Sequence, residues 1–393
     1  MNRIAQVAIV VGVLSIFSPN GRAAVRYVKQ SGTGTTCTSW SNACNLPTAL
    51  GIADATTADQ LWVQSGTYAP FALKNGVKII GGFAGTETQA SQSNPTVNLT
   101  IVDGGETARC VTNINSDPSA PAAVLRGFTL RKGRNAEGGG MYLNNSDARI
   151  VHCIFEGNSA GDFGGAVGIR GVGSPQFINC IFRNNGEGAT NPLSTMGGGA
   201  VFVHRGSPIF TNCLFHNNKA WEGGVIISMF GTPAFINCTM VNNHSTIGYG
   251  GALFDPDGLM SLRNCIVWGN TTASGVGSAD QMSSGSGGTT LTSYSNIQGG
   301  WMGSNNLNAD PLFVNPAGGD YHLQDASPCK NTGDSTPFAN TLPPDSGDLD
   351  WNANTNEPTP KDLDLLARIR WLGPVDMGPY ELPDEPPPGG NEN

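Results

Sequence analysis

The chain has 393 residues, with 54 glycines, about twice the usual share, and 13% charged residues, about half the usual. Abundant Gly, Asn, Ser and Thr with so little charge suits a rigid all-β extracellular scaffold better than a cytosolic enzyme. A net charge of −9 argues against nucleic acid as a partner.

Residues 1–23 read as a secretory signal peptide. Arg3 precedes an apolar core at 4–17, Ser18-Pro19-Asn20 breaks it, and Gly21-Arg22-Ala23 offers a small-x-small cleavage site. The apolar run is short of the about 20 residues of a membrane span, and no cysteine follows it to carry a lipid. The mature chain is therefore expected to be exported and to hold no transmembrane span.

Residues 24–58 read as an N-terminal cap. Cys37 and Cys44 lie close together in an exported chain, which favours a local disulfide. Leu46, Ala49, Leu50, Ile52 and Ala53 allow a turn or two of amphipathic helix. A cap is needed because the open end of a stacked sheet exposes unpaired strand edges.

Residues 59–310 carry strand-like runs at 60–63, 77–80, 99–102, 123–129 and 141–143, then one pattern written five times. Each copy starts with a glycine cluster and a short apolar run, and ends around a cysteine, as in Ile178-Asn179-Cys180-Ile181-Phe182-Arg183-Asn184-Asn185. The cysteines are Cys153, Cys180, Cys213, Cys238 and Cys265, at spacings of 27, 33, 25 and 27 residues. A repeat of that period predicts a solenoid. Ile178, Cys180 and Phe182 alternate with Asn179, Ile181 and Arg183, the period of a strand with one buried face. Runs at 200–203 and 208–210 supply two further strands per coil. No segment has a helical period, which excludes leucine-rich and ankyrin-type repeats, and the spacing is too short and uneven for propeller blades. The prediction is an all-β, right-handed parallel β-helix, since parallel crossovers are almost always right-handed.

Asn158, Asn185, Asn218, Asn243 and Asn270 each follow their cysteine by five residues, where the strand must turn. Asn tolerates a left-handed backbone there. Stacked about 4.8 Å apart, the amides are expected to bond as a structural ladder; a line of ligand-binding amides is the competing reading. The five cysteines are expected to form an inward column, and no Cys-x-x-Cys pair suggests zinc.

Trp62-Val63-Gln64-Ser65-Gly66-Thr67-Tyr68, Gly81-Gly82-Phe83-Ala84-Gly85-Thr86-Glu87 and the Asn-Cys repeats resemble exported bacterial right-handed β-helix proteins. The nearest group is that with a choice-of-anchor Q domain, and the repeats are also similar to those of polymorphic outer-membrane proteins. Asn308-Ala309-Asp310-Pro311-Leu312-Phe313, Asp320-Tyr321-His322-Leu323, Ser327-Pro328-Cys329-Lys330-Asn331-Thr332-Gly333-Asp334 and Asp376-Met377-Gly378-Pro379-Tyr380-Glu381 carry the resemblance into the C-terminal part. It implies secretion or display at the cell surface or outer membrane, and no particular reaction.

Many β-helix proteins cleave polysaccharides, so the acids are a test. Lyases need clustered carboxylates for Ca²⁺ with a basic residue beside them, and hydrolases need paired carboxylates on one face. Glu137, Asp162 and Glu222 fall just before glycine clusters and are candidates for one shared edge. Glu156, Arg183 and His216 share the position three after the cysteine and read as an outward, solvated row. No polygalacturonase-like Asp-Asp or Asn-x-Asp motif occurs, and His152, His204, His216, His244 and His322 share no metal spacing. Tyr249, Phe254, Trp268 and Trp301 would suit sugar stacking if they lined one exposed sheet, with inward packing the default.

Residues 275–288 read as a flexible Ser/Gly-rich excursion. Residues 311–381 form a C-terminal closing segment, acidic in its later part, and 382–393 a Pro- and Gly-rich disordered tail. Asp348, Asp350, Asn352, Asn354 and Asn356 place oxygen side chains at alternate positions, as a Ca²⁺ loop does. Ala353 stands where such a loop turns on Gly, and Thr359 where it has Glu. An acidic, Asn-rich turn without metal is the other reading, and no cofactor is required. The whole points to a non-enzymatic secreted or surface protein that adheres to glycan or matrix along a flat side. A polysaccharide lyase or glycoside hydrolase is the runner-up, and a structural spacer the third reading.

Overall fold

The computed structural model describes residues 23–115, 117, 119–186, 197–273, 275, 278–335, 361–364 and 374–382. The chain winds as a right-handed parallel β-helix, laying strands on three long sheets. Sheet A has ten strands, from Val25–Val28 and Gln60–Gln64 to Leu259–Arg263 and Thr289–Ser293. Sheet B has nine, from Gly66–Tyr68 to Asn296–Ile297, and sheet C eight, from Phe71–Ala72 to Met282–Ser284. A fourth, broken sheet forms a ledge between sheets B and C. It pairs Arg134–Glu137 with Ser159–Phe163, and Lys219–Glu222 with His244–Tyr249 and Thr271–Thr272.

The corners explain the repeated sequence. In each coil the residue before the cysteine is left-handed: His152, Asn179, Asn212, Asn237 and Asn264 have φ between 50° and 55°. The chain therefore does not run straight through the cysteine, as the alternation suggested. It turns there from sheet A to sheet B, as between Gln176–Ile178 and Ile181–Arg183. The left-handed residue breaks the alternation, so Phe177, Cys180 and Phe182 face the core. Ile178, expected inward, lies in the outer column of Thr211 and Ile236 and is buried from outside. The second corner is left-handed at Gly157, Asn184, Asn217, Asn242 and Gly269. These stand directly before the ladder asparagines, so the turn falls one residue earlier than expected. The ladder residues themselves do not bear the positive φ.

Their side chains instead point inward and are fully buried. Asn158 Nδ2 donates to Asn185 Oδ1 at 3.0 Å, Asn185 Nδ2 to Asn218 Oδ1 at 2.9 Å, Asn218 Nδ2 to Asn243 Oδ1 at 2.9 Å, and Asn243 Nδ2 to Asn270 Oδ1 at 2.8 Å. Each Oδ1 also accepts the backbone N–H of the preceding ladder residue. Gln281 terminates the row, accepting from Asn270 Nδ2 at 2.9 Å. Burying five amides is tolerable only because each meets partners, since an unpaired buried polar group costs about 1–3 kcal/mol.

The core is layered the same way. Phe155, Phe182 and Phe215 stack with centroids 4.7 and 4.6 Å apart, and Phe177, Phe210 and Phe235 stack at 4.9 Å. Cys153, Cys180, Cys213, Cys238 and Cys265 are buried, unbridged thiols beside them. Cys37 and Cys44 form a disulfide with Cα atoms 5.0 Å apart. The helix Leu46–Ile52, capped by Asn45, buries Leu46 and Ala49 against the first coil.

Two boundaries differ from the sequence reading. Val25–Val28 is already a rung of sheet A, pairing from Val25 to Gln60, so the solenoid begins inside the expected cap. The disulfide loop and helix separate that strand from its partner and hide the period. Part of the Ser/Gly-rich stretch is ordered as well: Met282–Ser284 is the last strand of sheet C. Its one large inward side chain, Met282, gave no alternation to read.

The closing segment packs on the C-terminal half of sheet B. The antiparallel hairpin of Phe313–Asn315 and Asp320–Leu323 brings Phe313, Tyr321 and Leu323, with Cys329 and Met377, against Leu214, Val241 and Ile266. The left-handed asparagines hold it at the A–B corner. Asn179 and Asn212 donate to Lys361 O, at 3.1 and 2.7 Å, and Asn264 Nδ2 donates to Asp334 O at 2.9 Å. No helix among the described residues is long and apolar enough to cross a membrane.

Candidate functional site

Each outer face of the solenoid has its own chemistry. On sheet B the outward row Asp103, Arg131, Glu156, Arg183 and His216 lies in register. Arg131 Nε meets Asp103 Oδ2 at 2.7 Å and Arg183 Nε meets Glu156 Oε1 at 3.1 Å, so the charges alternate and cancel. His216, expected in the solvated row, is instead covered: it is 8% exposed with the Tyr321 ring 5.3 Å away. Burial and then Arg183 lower its pKa to about 4. Along sheet A, Val375 packs over Ile236 and Ile209.

Sheet C is different. Its strands turn Val201, Val203 and their counterparts inward, and Tyr142, Phe202, Ile227 and Phe254 outward in one register row. A second outward row follows two residues on, with Asn144, Arg170, His204 and Met229. The ledge overhangs this face. Glu137, Phe163, Gly197, Glu222 and Tyr249 occupy one ledge column. Phe163 stacks on Phe202 at 4.6 Å and Tyr249 on Phe254 at 5.1 Å, while Glu137 Oε2 accepts from Arg170 Nε at 2.6 Å. Three residues of one column thus lean onto the same face and cover it along a seam, the trough, between ledge and sheet.

The glycine clusters make the overhang possible. The chain must turn sharply from ledge to sheet C, and Gly138, Gly164, Gly198, Gly223 and Gly250 take φ between 53° and 67° there. A Cβ on the next residue would strike the neighbouring coil: at Gly224 it would stand 2.1 Å from Gly251 O.

The trough is mixed in character. Phe202, Ile227 and Phe254 form a buried floor covered by Phe163 and Met229, while the Tyr249 ring is half exposed. Arg170 lies over Phe202, 5.3 Å from its centroid, and Arg109 over Tyr142 at 4.7 Å. Arg109 also donates to Gly138 O and Glu137 O, at 2.9 and 2.7 Å. At the outer corner Phe230 is 58% exposed and left-handed, with φ 56°, a conformation that bulky residues rarely adopt. Its ring meets His204 edge-on at 6.1 Å. Burial, then Arg170 and Arg205, hold His204 below its ordinary pKa.

Glu222 is the exception to the pairing rule of this face. Among the described residues its carboxylate meets neither a cation nor a hydrogen-bond donor, and burial against the floor raises its pKa. Glu137 and Glu222 share a column but stand three coils apart, roughly 14 Å at the usual strand spacing. Paired catalytic carboxylates stand about 5–10 Å apart. Asp162 precedes Phe163 on its strand and by alternation turns to the other side of the ledge. The three acids expected on one edge thus resolve into one ion-paired, one unpaired and one facing away.

Of the four aromatics singled out for stacking, Tyr249 and Phe254 meet in the trough. Trp268 packs under the closing segment, and Trp301 packs against the end of the core. Phe163, Phe202 and Phe230 were not anticipated. The run Val201-Phe202-Val203 is apolar throughout, so it reads as buried on both faces and hides that Phe202 points out. Asp348, Asp350, Asn352, Asn354 and Asn356 lie outside the described residues, as do most of the signal segment and all but the first residue of the tail.

The model of a family described as a right-handed β-helix region matches residues 119–297, the stretch that holds the repeats and the trough. No curated protein matches the chain. Among solved structures, a crystal structure of the pectate lyase Pel9A is similar, with a TM-score of 0.48 and 13% identity, over 92% of this chain and 98% of that one.

Proposed function

We propose that this protein is an exported, surface-associated β-helix of the choice-of-anchor Q kind that binds an extended glycan in the trough on sheet C, without cleaving it. The observation that carries the reading is the pair of exposed rings on this face, Tyr249 and Phe230, 49% and 58% exposed, held over the buried layer of Phe202, Ile227 and Phe254. Exposed aromatic rings suit the apolar faces of sugar rings, and the flanking polar side chains suit their hydroxyls. Sheet B is committed to charge pairs and the closing segment, while sheets A and C keep accessible surface, and of these sheet C carries the exposed rings. The Cys37–Cys44 disulfide supports export, since such bonds persist in oxidising compartments. The wide spacing of Glu137 and Glu222 favours binding over hydrolysis.

A glycan array probed with the mature chain, run beside a reducing-end release assay, tests this. Retention of a glycan without release of reducing ends is expected, with Tyr249→Ala reducing retention at unchanged melting temperature. Release of reducing ends would move the assignment to a lyase or hydrolase, and binding untouched by Tyr249→Ala would move the site off sheet C.

A further inference from the structure

Resting on the glycan-binding reading, we infer that the trough selects glycans bearing free amino groups, and that Glu222 is the residue that selects them. The ledge places Glu222 beside Tyr249 on the next coil, about 4.8 Å along the stack. Tyr249 leans onto Phe254, so the register sets Glu222 next to a half-exposed aromatic ring above a buried apolar layer. An ammonium group there would donate a charge-assisted hydrogen bond to the carboxylate and meet the face of a half-exposed tyrosine together.

The contrast with Glu137 sharpens the argument. Glu137 holds the same column and is neutralised by both Arg170 Nε and Nη2, from the sheet C strand one coil further on. The place corresponding to Arg170 one coil beyond Glu222, counted from the register of Ile227 with Phe254, is Pro256. The fold thus supplies a cation to one carboxylate and an imino acid to the other. Among the described residues, nearby polar groups do not fill the gap. His244 Nδ1 is engaged with Thr271 Oγ1 at 2.8 Å, and Arg205 sits at the far corner beyond His204. Arg109 and Arg170, the cations lying over this face, are committed to carbonyls and to Glu137. A uronate chain would meet an unpaired carboxylate and a net charge of −9, both repulsive.

Calorimetry on the whole mature chain tests the inference with three probes of equal length: a fully de-N-acetylated glucosamine hexamer, its N-acetylated counterpart, and a galacturonate hexamer. The amine hexamer should bind roughly 10-fold more tightly than the acetylated one, the gain of one charge-assisted contact. The galacturonate hexamer should bind weakest. Glu222→Gln should bring the first two within about 3-fold of each other while leaving the melting temperature unchanged. Raising salt from about 50 to about 300 mM should shrink the preference, because the contact is half exposed. Equal affinity for amine and acetylated hexamers in the wild type, or a preference that survives Glu222→Gln, overturns the inference and leaves glycan binding standing. Failure of all three hexamers to bind overturns both.

Discussion

At the scale of single residues, this fold uses asparagine for two incompatible jobs placed one residue apart. Asn217 is exposed and left-handed, with φ 56°, whereas Asn218 is fully buried and works through its amide. Asn218 Oδ1 accepts from Asn185 N and Nδ2, at 3.1 and 2.9 Å, and its Nδ2 reaches Phe182 O and Asn243 Oδ1, both at 2.9 Å. Asn218→Ala orphans groups above and below and should cost roughly 2–5 kcal/mol. Asn217→Ala loses tolerance of a turn and a part-buried bond to His216 Nδ1 at 3.1 Å, together about 1–2 kcal/mol. Denaturation midpoints compare the two; equal losses would mean that the ladder contributes nothing beyond its corner. The thiols offer a second test at this scale. Burial pushes Cys110 up to about 12 and Cys153 higher still, which suppresses the reactive thiolate. Cys153, Cys180, Cys213, Cys238 and Cys265 are all fully buried and out of reach of reagent, so the five should resist iodoacetamide until the chain is denatured. Labelling of the folded chain at any of the five, read by peptide mass mapping, would show that the column opens.

At the scale of elements, what decides legibility is whether a strand has one apolar face or two. The five cysteine copies alternate from the cysteine onward, so the coils, Phe155, Phe182, Phe215 and the ladder could be read from them, but the left-handed residue before each cysteine hid the inward Phe177, Phe210 and Phe235. Sheet C strands such as Val201–His204 and Ile226–Met229 are apolar on both faces, so the trough was invisible until the ledge was seen above it. Ledge strands such as Lys219–Glu222 pair only with their counterparts in other coils and carry no pattern of their own. Glu222 was noticed as one acid of three, but its lack of a partner is a fact of register that composition cannot hold. The two kinds of aromatic should respond differently to truncation. Phe182 is sandwiched between Phe155 and Phe215, so Phe182→Ala should cost about 3–5 kcal/mol. Tyr249 is half exposed, and Tyr249→Ala should stay within about 1 kcal/mol of wild type. Thermal melts that reversed this order would place the inward and outward faces the wrong way round.

At the scale of the whole molecule, the closing segment joins parts of the chain far apart in sequence, and one histidine sits at the junction. His322 lies on the hairpin strand Asp320–Leu323. Its Nδ1 is 2.5 Å from Asp320 Oδ1, its Nε2 is 2.6 Å from Asp364 Oδ2, and the Tyr380 ring lies 4.0 Å away. Both ring nitrogens face carboxylates, an arrangement that the doubly protonated imidazolium satisfies with two donors. Burial alone would lower its pKa, but the bonds to Asp364 and Asp320 outweigh burial and raise it. Asp320 is held low in return, against the opposing effect of its own burial. A histidine with a raised folded pKa contributes stability fully below its unfolded value, about 6.5, and loses it as pH climbs through the folded value. The carboxylate side works in the opposite sense and fails only in strong acid. Docking of the closing segment should therefore be firmest in mildly acidic solution and loosen as pH rises past neutrality. The groups are part-exposed, so the gain is capped at about 1 kcal/mol. Melting curves of the wild type and His322→Gln between about pH 5 and pH 9 measure it directly. The wild type should melt higher at the acidic end and converge with the variant at the alkaline end. Two curves that stay parallel across that range would show that the histidine packs against Tyr380 without coupling the closing segment to pH.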